Sequence, residues 1–164
     1  MQNELLFLDE IVLIGTTVRT NNKNEMNPET SKIGKHFQTY FQNKVAENFK
    51  DRCSPNTTYS IYTEYGSDEQ GEFTHFIGEV VKNSIEDYKD SKFKKLIIPA
   101  CKYKKFTTSP GTIPDNVIKA WQEIWKLDSL GLGGKRCYIA DFEIYDQRAY
   151  QQENSIVDIF IGIK

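Results

Sequence analysis

The chain has 164 residues, of which 38% are hydrophobic, and its 21 basic and 23 acidic side chains leave a net charge of −2. That length suits one domain with a buried core, and the balanced charge argues against a molecule-wide field that attracts nucleic acid or anionic lipid. Three scattered cysteines without a CxxC pair, and no apolar run of membrane-spanning length, predict a cytoplasmic protein with neither a disulfide framework nor a zinc site.

The first half of the chain predicts a strand, a helix and two further strands. A β-branched run over residues 10–20 ends in polar turn residues, which is typical of a strand. Pro28 and Glu29 open the predicted helix, whose apolar residues recur at helical spacing as far as Val45. Two aromatic-rich runs then flank the turn sequence GSDEQG, and this pattern indicates a β-hairpin.

A polar, lysine-bearing linker over residues 82–95 leads to the second half, which repeats the same order. Pro99 predicts a break before a strand from Cys101 to Thr107, and Pro114 with Asp115 starts the second helix. The loop SLGLGGK ends that helix. The segments CYIADFEIYDQ and SIVDIFIGIK are the last two predicted strands.

The two halves, residues 1–85 and 96–164 in rough outline, are alike in residues as well as in element order. Each runs aromatic, acid, aromatic, loop and apolar strand, and Glu64 and Glu143 occupy similar places. We therefore predict a single α+β domain made of two strand-helix-strand-strand units related by pseudo-twofold symmetry. Helices are expected on one face of its antiparallel sheet and a ligand groove on the other.

These segments together resemble a known family over almost the whole chain. The stretches IGTTVRTNN, YSIYTEYGSDEQGEFTHFIGEVV, IPACKYKKFTT, IPDNVIKAWQEIW and DFEIYDQ resemble, in order and spacing, the DNA gyrase inhibitor-like (GyrI-like) family. This is the effector-binding domain of AraC-type bacterial transcription regulators. The resemblance implies multidrug binding in an aromatic-lined groove, where hydrophobic and often cationic molecules bind near a central glutamate. Glu143 is the residue that matches this glutamate.

Glu143 shares one face of its predicted strand with Asp141 and Tyr145, while apolar residues face the other way. The pattern alone favours a solvated acid on an open sheet face, and the resemblance favours a ligand-binding carboxylate. Asp141 and Asp158 are expected to pair with Arg136 or with lysines. The predicted ligand-binding residues are Glu143, Tyr145, Tyr62, Trp121 and Phe160. Core packing is the alternative for each of these aromatic residues.

Three functions remain open from the sequence. The first is a stand-alone sensor or sequestering protein for hydrophobic or cationic small molecules, without a cofactor. The second is a hydrolase of reactive xenobiotics, with Glu143 as acid or base and Tyr145 or Tyr62 as the phenolic donor. The third, a protein partner such as DNA gyrase, comes from the family name alone.

Two partner classes and a metal site are not expected. His36 and His75 show no metal-binding spacing. About ten residues precede the first predicted strand, which is too few for a helix-turn-helix domain, so we expect no direct nucleic-acid binding. No membrane binding is expected either.

Overall fold

The computed structural model describes residues 1–82 and 92–164, which form eight strands and four helices. The strands are β1 (Gln2–Leu8), β2 (Ile11–Asn21), β3 (Thr58–Thr63), β4 (Glu72–Val80), β5 (Lys94–Ile98), β6 (Cys101–Thr107), β7 (Ala140–Tyr145) and β8 (Asp158–Ile163). The helices are α1 (Asn22–Glu25), α2 (Ile33–Gln42), α3 (Asp115–Ile124) and α4 (Ser129–Leu132). None of these four helices has the length and apolar character needed to cross a bilayer. Most of the predicted linker lies outside the described residues.

All eight strands belong to one antiparallel sheet with the order β1-β6-β8-β7-β3-β4-β2-β5. The first half contributes the unit β2-α2-β3-β4 and the second half contributes β6-α3-β7-β8. The units meet where β3 pairs with β7, which sets Ser60 opposite Glu143. The predicted α+β class and the doubled order of elements are confirmed.

The outer strands are exchanged between the halves. β1 of the N-terminal segment pairs with β6, and β5, which precedes the second unit, pairs with β2. The sequence patterns predict neither strand. Glu4 and Asp9 interrupt the apolar residues around β1, and the strand is mostly exposed at the sheet edge. An edge strand needs little apolar surface, so alternation marks it weakly.

Helix α2 begins at Ile33, later than the predicted start at Pro28. The reason is Glu25, whose carboxylate accepts the backbone N–H of Lys32 at 3.0 Å and that of Ile33 at 3.2 Å. Lys32 itself provides no side-chain cap. An acid from α1 therefore satisfies the free N–H groups at the start of α2, a contact that local sequence does not reveal.

The predicted loop SLGLGGK contains the short helix α4. Asp128 caps it by accepting the backbone N–H of Gly131 at 2.9 Å. Gly133 ends it with a φ of 76°, a left-handed conformation that glycine adopts without strain.

The helices cover one face of the sheet. Helix α3 packs Val117 and Trp121 into an apolar cluster with Ile159 of β8, and α2 packs Tyr40 with Ile77 of β4. Side chains alternate along each strand, so neighbours of Ile159 and Ile77 at every second position share this face.

The opposite face is also apolar and buried. Phe142 of β7 stacks on Phe160 of β8 with ring centroids 4.7 Å apart, and Tyr103 of β6 meets Phe142 edge to face at 5.2 Å. Ile61 and Phe76 complete this cluster from β3 and β4. Apolar side chains on both faces explain why the central strands carry little of the polar alternation expected of a half-exposed sheet.

Candidate functional site

Glu143 lies near the middle of the sheet and is only 1% exposed. It is flanked by Ser60 on β3 and Ile159 on β8. Ile159 belongs to the cluster under α3, so Glu143 points towards the helix-covered face. The alternative of a solvated acid is therefore wrong, since water does not reach this carboxylate.

Three neutral side chains donate hydrogen bonds to the Glu143 carboxylate. Tyr62 on β3 donates to Oε1 at 2.9 Å, and the indole N–H of Trp121 on α3 donates to the same oxygen at 2.7 Å. Tyr145, two residues along β7, donates to Oε2 at 2.7 Å. Two strands and a helix thus converge on one buried acid, and four of the five predicted site residues come together.

Burial governs the ionisation of this group. It raises the pKa of the Glu143 carboxyl above its ordinary value, while hydrogen bonds from the three donors and from Ser60 act in the opposite direction. Burial, followed by the charge of Glu143, raises the pKa of the Tyr62 and Tyr145 phenols well above the usual value. Both phenols are therefore neutral donors at physiological pH.

Aromatic rings enclose the carboxylate. Tyr62 meets Trp121 edge to face with centroids 5.4 Å apart, and Phe37 of α2 meets Tyr145 in the same way at 5.6 Å. Trp125, at the C-terminal end of α3, lies 6.1 Å from the Trp121 ring. Trp121 is 9% exposed and contacts the carboxylate directly, so its indole is part of this enclosure.

Phe160 does not join this group. It lies on the opposite face, stacked on Phe142, because it is one position out of phase with Ile159 on β8. The ligand groove is predicted on the sheet face without helices, and of the five predicted ligand-binding residues only Phe160 lies on that face. Glu143 and its donors lie on the side that the helices cover, since Trp121 contacts the acid directly.

Four site neighbours are not predicted as such from the sequence. Phe37 is one of the apolar residues at helical spacing in α2. Ser60 is the cross-strand partner of Glu143 and becomes a neighbour only through the pairing of β3 with β7. His36 and His75, which are 39 residues apart, contact each other through their Nδ1 atoms at 2.9 Å. Among residues 1–82 and 92–164 no group of three or more metal-ligating side chains occurs.

Of the four buried acids in the described residues, Glu143 is the one without a basic partner. The others each contact an arginine, in the pairs Glu79–Arg52, Asp141–Arg136 and Asp158–Arg148, at 3.3, 2.6 and 2.6 Å respectively. The predicted pairing of Asp141 and Asp158 with basic residues is confirmed. A buried carboxylate is costly unless it is paired, so Glu143 differs from the other buried acids in having neutral hydrogen-bond donors in place of an arginine.

A surface cavity of about 340 Å³ lies away from Glu143. Arg19, Glu64, Thr74 and Lys94 are among its lining residues, and the donors to Glu143 are not. Most of its lining residues are polar or charged, and Phe76 is the one aromatic residue among them, so it lacks the aromatic enclosure that surrounds Glu143. The cavity is therefore not the predicted aromatic groove.

Comparison with known proteins gives a consistent family. Residues 4–163 match the model of the Cass2 family, described as integron-associated effector binding protein. The integron cassette protein VCH_CASS2 of Vibrio cholerae has a similar structure, with a TM-score of 0.76, 29% identity, and coverage of 99% of this chain and 95% of that one. YobU of Bacillus subtilis strain 168, named as a candidate transcriptional regulator, is 26% identical over 99% of this chain and 98% of its own.

A further solved structure shares the fold at lower identity. SAV2435, solved bound to tetraphenylphosphonium, has a TM-score of 0.77 and 18% identity, covering 100% of this chain and 94% of that one. At that identity the likeness shows the fold alone.

Proposed function

The chain belongs to the Cass2 family of integron-associated effector binding proteins, and on this premise we propose that it binds hydrophobic organic cations, with Glu143 receiving the positive charge. The protein acts as a stand-alone sensor or sequestering protein for such molecules. The structure of SAV2435 with tetraphenylphosphonium, an aromatic cation, supports this ligand class.

The observation that carries the proposal is the unpaired charge of Glu143. Its three hydrogen-bond donors are neutral, whereas the other buried acids of the described residues contact arginine. An organic cation supplies the missing charge and brings little hydration to lose. Each aromatic ring that faces the cation adds about 0.5–2 kcal/mol, so a few rings and one charge pair are enough for micromolar affinity, about −8 kcal/mol.

Titration with tetraphenylphosphonium tests the proposal. Calorimetry, together with the fluorescence of Trp121 and Trp125, reports binding. We expect Glu143→Gln, which keeps the shape and removes the charge, to weaken binding at least tenfold, or about 1.4 kcal/mol. Neutral triphenylphosphine oxide is the matched ligand control and should bind both proteins equally. Absence of binding, or equal affinity of the wild type and Glu143→Gln for the cation, contradicts the proposal.

Hydrolysis at the same site is a separate outcome that the titration does not reveal. The Tyr145 hydroxyl donates a hydrogen bond to Glu143 Oε2 at 2.7 Å, and the pKa of this phenol is raised, which makes it a weak acid. We therefore expect stoichiometric binding without product when reactive electrophiles are incubated with the protein and followed by mass spectrometry. Product that forms with the wild type and not with Glu143→Gln would establish the enzyme instead.

A further inference from the structure

A line of buried polar groups leads from β2 to the side of Glu143. Thr16 Oγ1 lies 2.9 Å from His36 Nε2, and His36 Nδ1 lies 2.9 Å from His75 Nδ1. His75 Nε2 in turn lies 2.9 Å from Ser60 Oγ. Ser60 is the cross-strand neighbour of Glu143, and its hydroxyl is among the groups that lower the carboxyl pKa. The four residues come from β2, α2, β4 and β3, so the line exists only in the folded protein.

Both imidazoles in this line are neutral at physiological pH. Burial lowers the pKa of His36 to about 4, against a smaller opposing effect of a hydrogen bond with the Thr16 backbone. Burial and the neighbouring His36 lower the pKa of His75 well below its ordinary value. Each ring therefore carries one N–H, and only one proton is available between the two Nδ1 atoms.

Because a single proton lies between the two Nδ1 atoms, hydrogen bonds along this line can be donated in only two directions. In one, Thr16 donates to His36, His36 Nδ1 donates to His75, and His75 Nε2 donates to Ser60. The Ser60 proton then points to the Glu143 carboxylate. In the other, every donor is reversed and Ser60 turns its proton to His75. An ionised Glu143 accepts hydrogen bonds and cannot donate them, so it favours the first direction.

We propose that Thr16, His36, His75 and Ser60 act as positioning residues for Glu143: they aim the Ser60 hydroxyl at the carboxylate and so set the pH range in which it accepts a cation. This inference rests on the proposed function. Three neutral donors contact the carboxylate, and a Ser60 hydroxyl turned towards it favours the ionised form further.

Few other titratable groups face this region. Tyr62 of β3 and Tyr145 of β7 contact Glu143, and Glu25 of α1 acts on Tyr62 through its charge. Phe37 of α2 and Tyr62 pack on the His75 ring, with centroids 5.5 and 5.3 Å away. Within the described part of the chain no lysine or arginine forms an ion pair with these groups, so the pH dependence of cation binding reports mainly on Glu143.

The test is the affinity for tetraphenylphosphonium measured across about pH 4 to 8 in the wild type and three variants. Ser60→Ala removes one hydrogen bond to a charged group, so we expect the pH midpoint of binding to rise by roughly one unit. Ser60→Thr keeps the hydroxyl and should leave the midpoint in place. Thr16→Val, which touches neither Glu143 nor the ligand, should raise the midpoint by a smaller amount.

The outcomes separate this inference from the proposed function. If the wild type binds no cation, the proposed function fails. If Glu143→Gln loses binding while Ser60→Ala keeps the wild-type midpoint, only the positioning role fails. An unchanged midpoint in Thr16→Val overturns the four-residue line. A loss of affinity that is equal at every pH indicates packing alone and also overturns it.

The histidine tautomers give a second measurement, because correct folding does not by itself decide which ring nitrogen carries the proton. Nitrogen-15 chemical shifts of the two rings at neutral pH should show the proton of His36 on Nδ1 and that of His75 on Nε2. A proton on Nδ1 of His75 means that the line runs the other way, which overturns the inference. The same shifts measured in Ser60→Ala confirm that this variant keeps the histidine pair in contact.

Discussion

Two tyrosines illustrate how the hydrogen-bond partner of a buried hydroxyl decides what that hydroxyl contributes to the free energy of unfolding. Tyr62 donates to Glu143 at 2.9 Å, whereas the Tyr40 hydroxyl has no hydrogen-bond partner within residues 1–82 and 92–164. We expect Tyr62→Phe to lower the free energy of unfolding by about 1–3 kcal/mol, because a buried carboxylate loses a donor. Tyr40→Phe is the matched control and should change it by less than about 0.5 kcal/mol. Urea denaturation at neutral pH measures both variants, and equal losses would contradict this account.

At this scale the sequence predicts the groups that carry chemistry better than the groups that support them. Glu143 and Tyr145 follow from alternation along one strand and from the family resemblance. Ser60 and the histidine pair do not, because each is small or apparently isolated in its own segment. They become neighbours through strand pairing and through the packing of α2 on the sheet, which local patterns do not encode.

At the scale of elements, the position of α2 depends on an acid outside it. Glu25 accepts the first N–H groups of α2, and the helix then brings His36 and Phe37 to the site. We expect Glu25→Ala to cost about 1 kcal/mol and to speed amide hydrogen exchange in the first turn of α2, because free N–H groups lose both a cap and a favourable charge. Glu29, the predicted opening acid, is exposed.

The control for this experiment is Glu29→Ala. It should leave amide exchange in α2 unchanged, since the structure gives the Glu29 carboxylate no part in the cap. Faster amide exchange in Glu29→Ala than in Glu25→Ala would contradict the role of Glu25 and would indicate that Glu29 stabilises the start of the helix, as the sequence predicts.

The predicted elements differ in accuracy for a physical reason. β6 occupies the predicted range from Cys101 to Thr107, because Pro99 breaks the strand before it. Helix α3 begins at Asp115 as predicted, after Pro114. β1 and the start of α2 depend on partners distant in sequence, and no signal within either segment specifies those partners.

At the scale of the whole molecule, the doubled order of elements can be predicted from the sequence, whereas the order of strands in the sheet cannot. Repetition of aromatic and acidic residues predicts two similar units, which the structure confirms. The pairing of β1 with β6 and of β5 with β2 joins strands from different halves of the chain, and no local sequence pattern predicts it. The two units are joined by the pairing of β3 with β7, and with β1 and β5 at the edges this central pair has three strands on each side, so Glu143 lies far from either edge.

The ionised carboxylate of Glu143 lowers the free energy of unfolding of the protein. The folded-state pKa of Glu143 lies above the unfolded value, so the unfolded chain gives up this proton more readily and the ionised group disfavours folding. This penalty is fully present above the folded pKa and vanishes as pH falls below the unfolded pKa. We therefore expect Glu143→Gln to raise the free energy of unfolding at pH 7 by about 1 kcal/mol, while it weakens cation binding at least tenfold, as predicted above. The gain should disappear by about pH 3, below the ordinary glutamate pKa, where the wild-type carboxyl is neutral in both states. Urea denaturation of both proteins at the two pH values measures this, and a variant less stable than the wild type at pH 7 would show that the carboxylate contributes to folding.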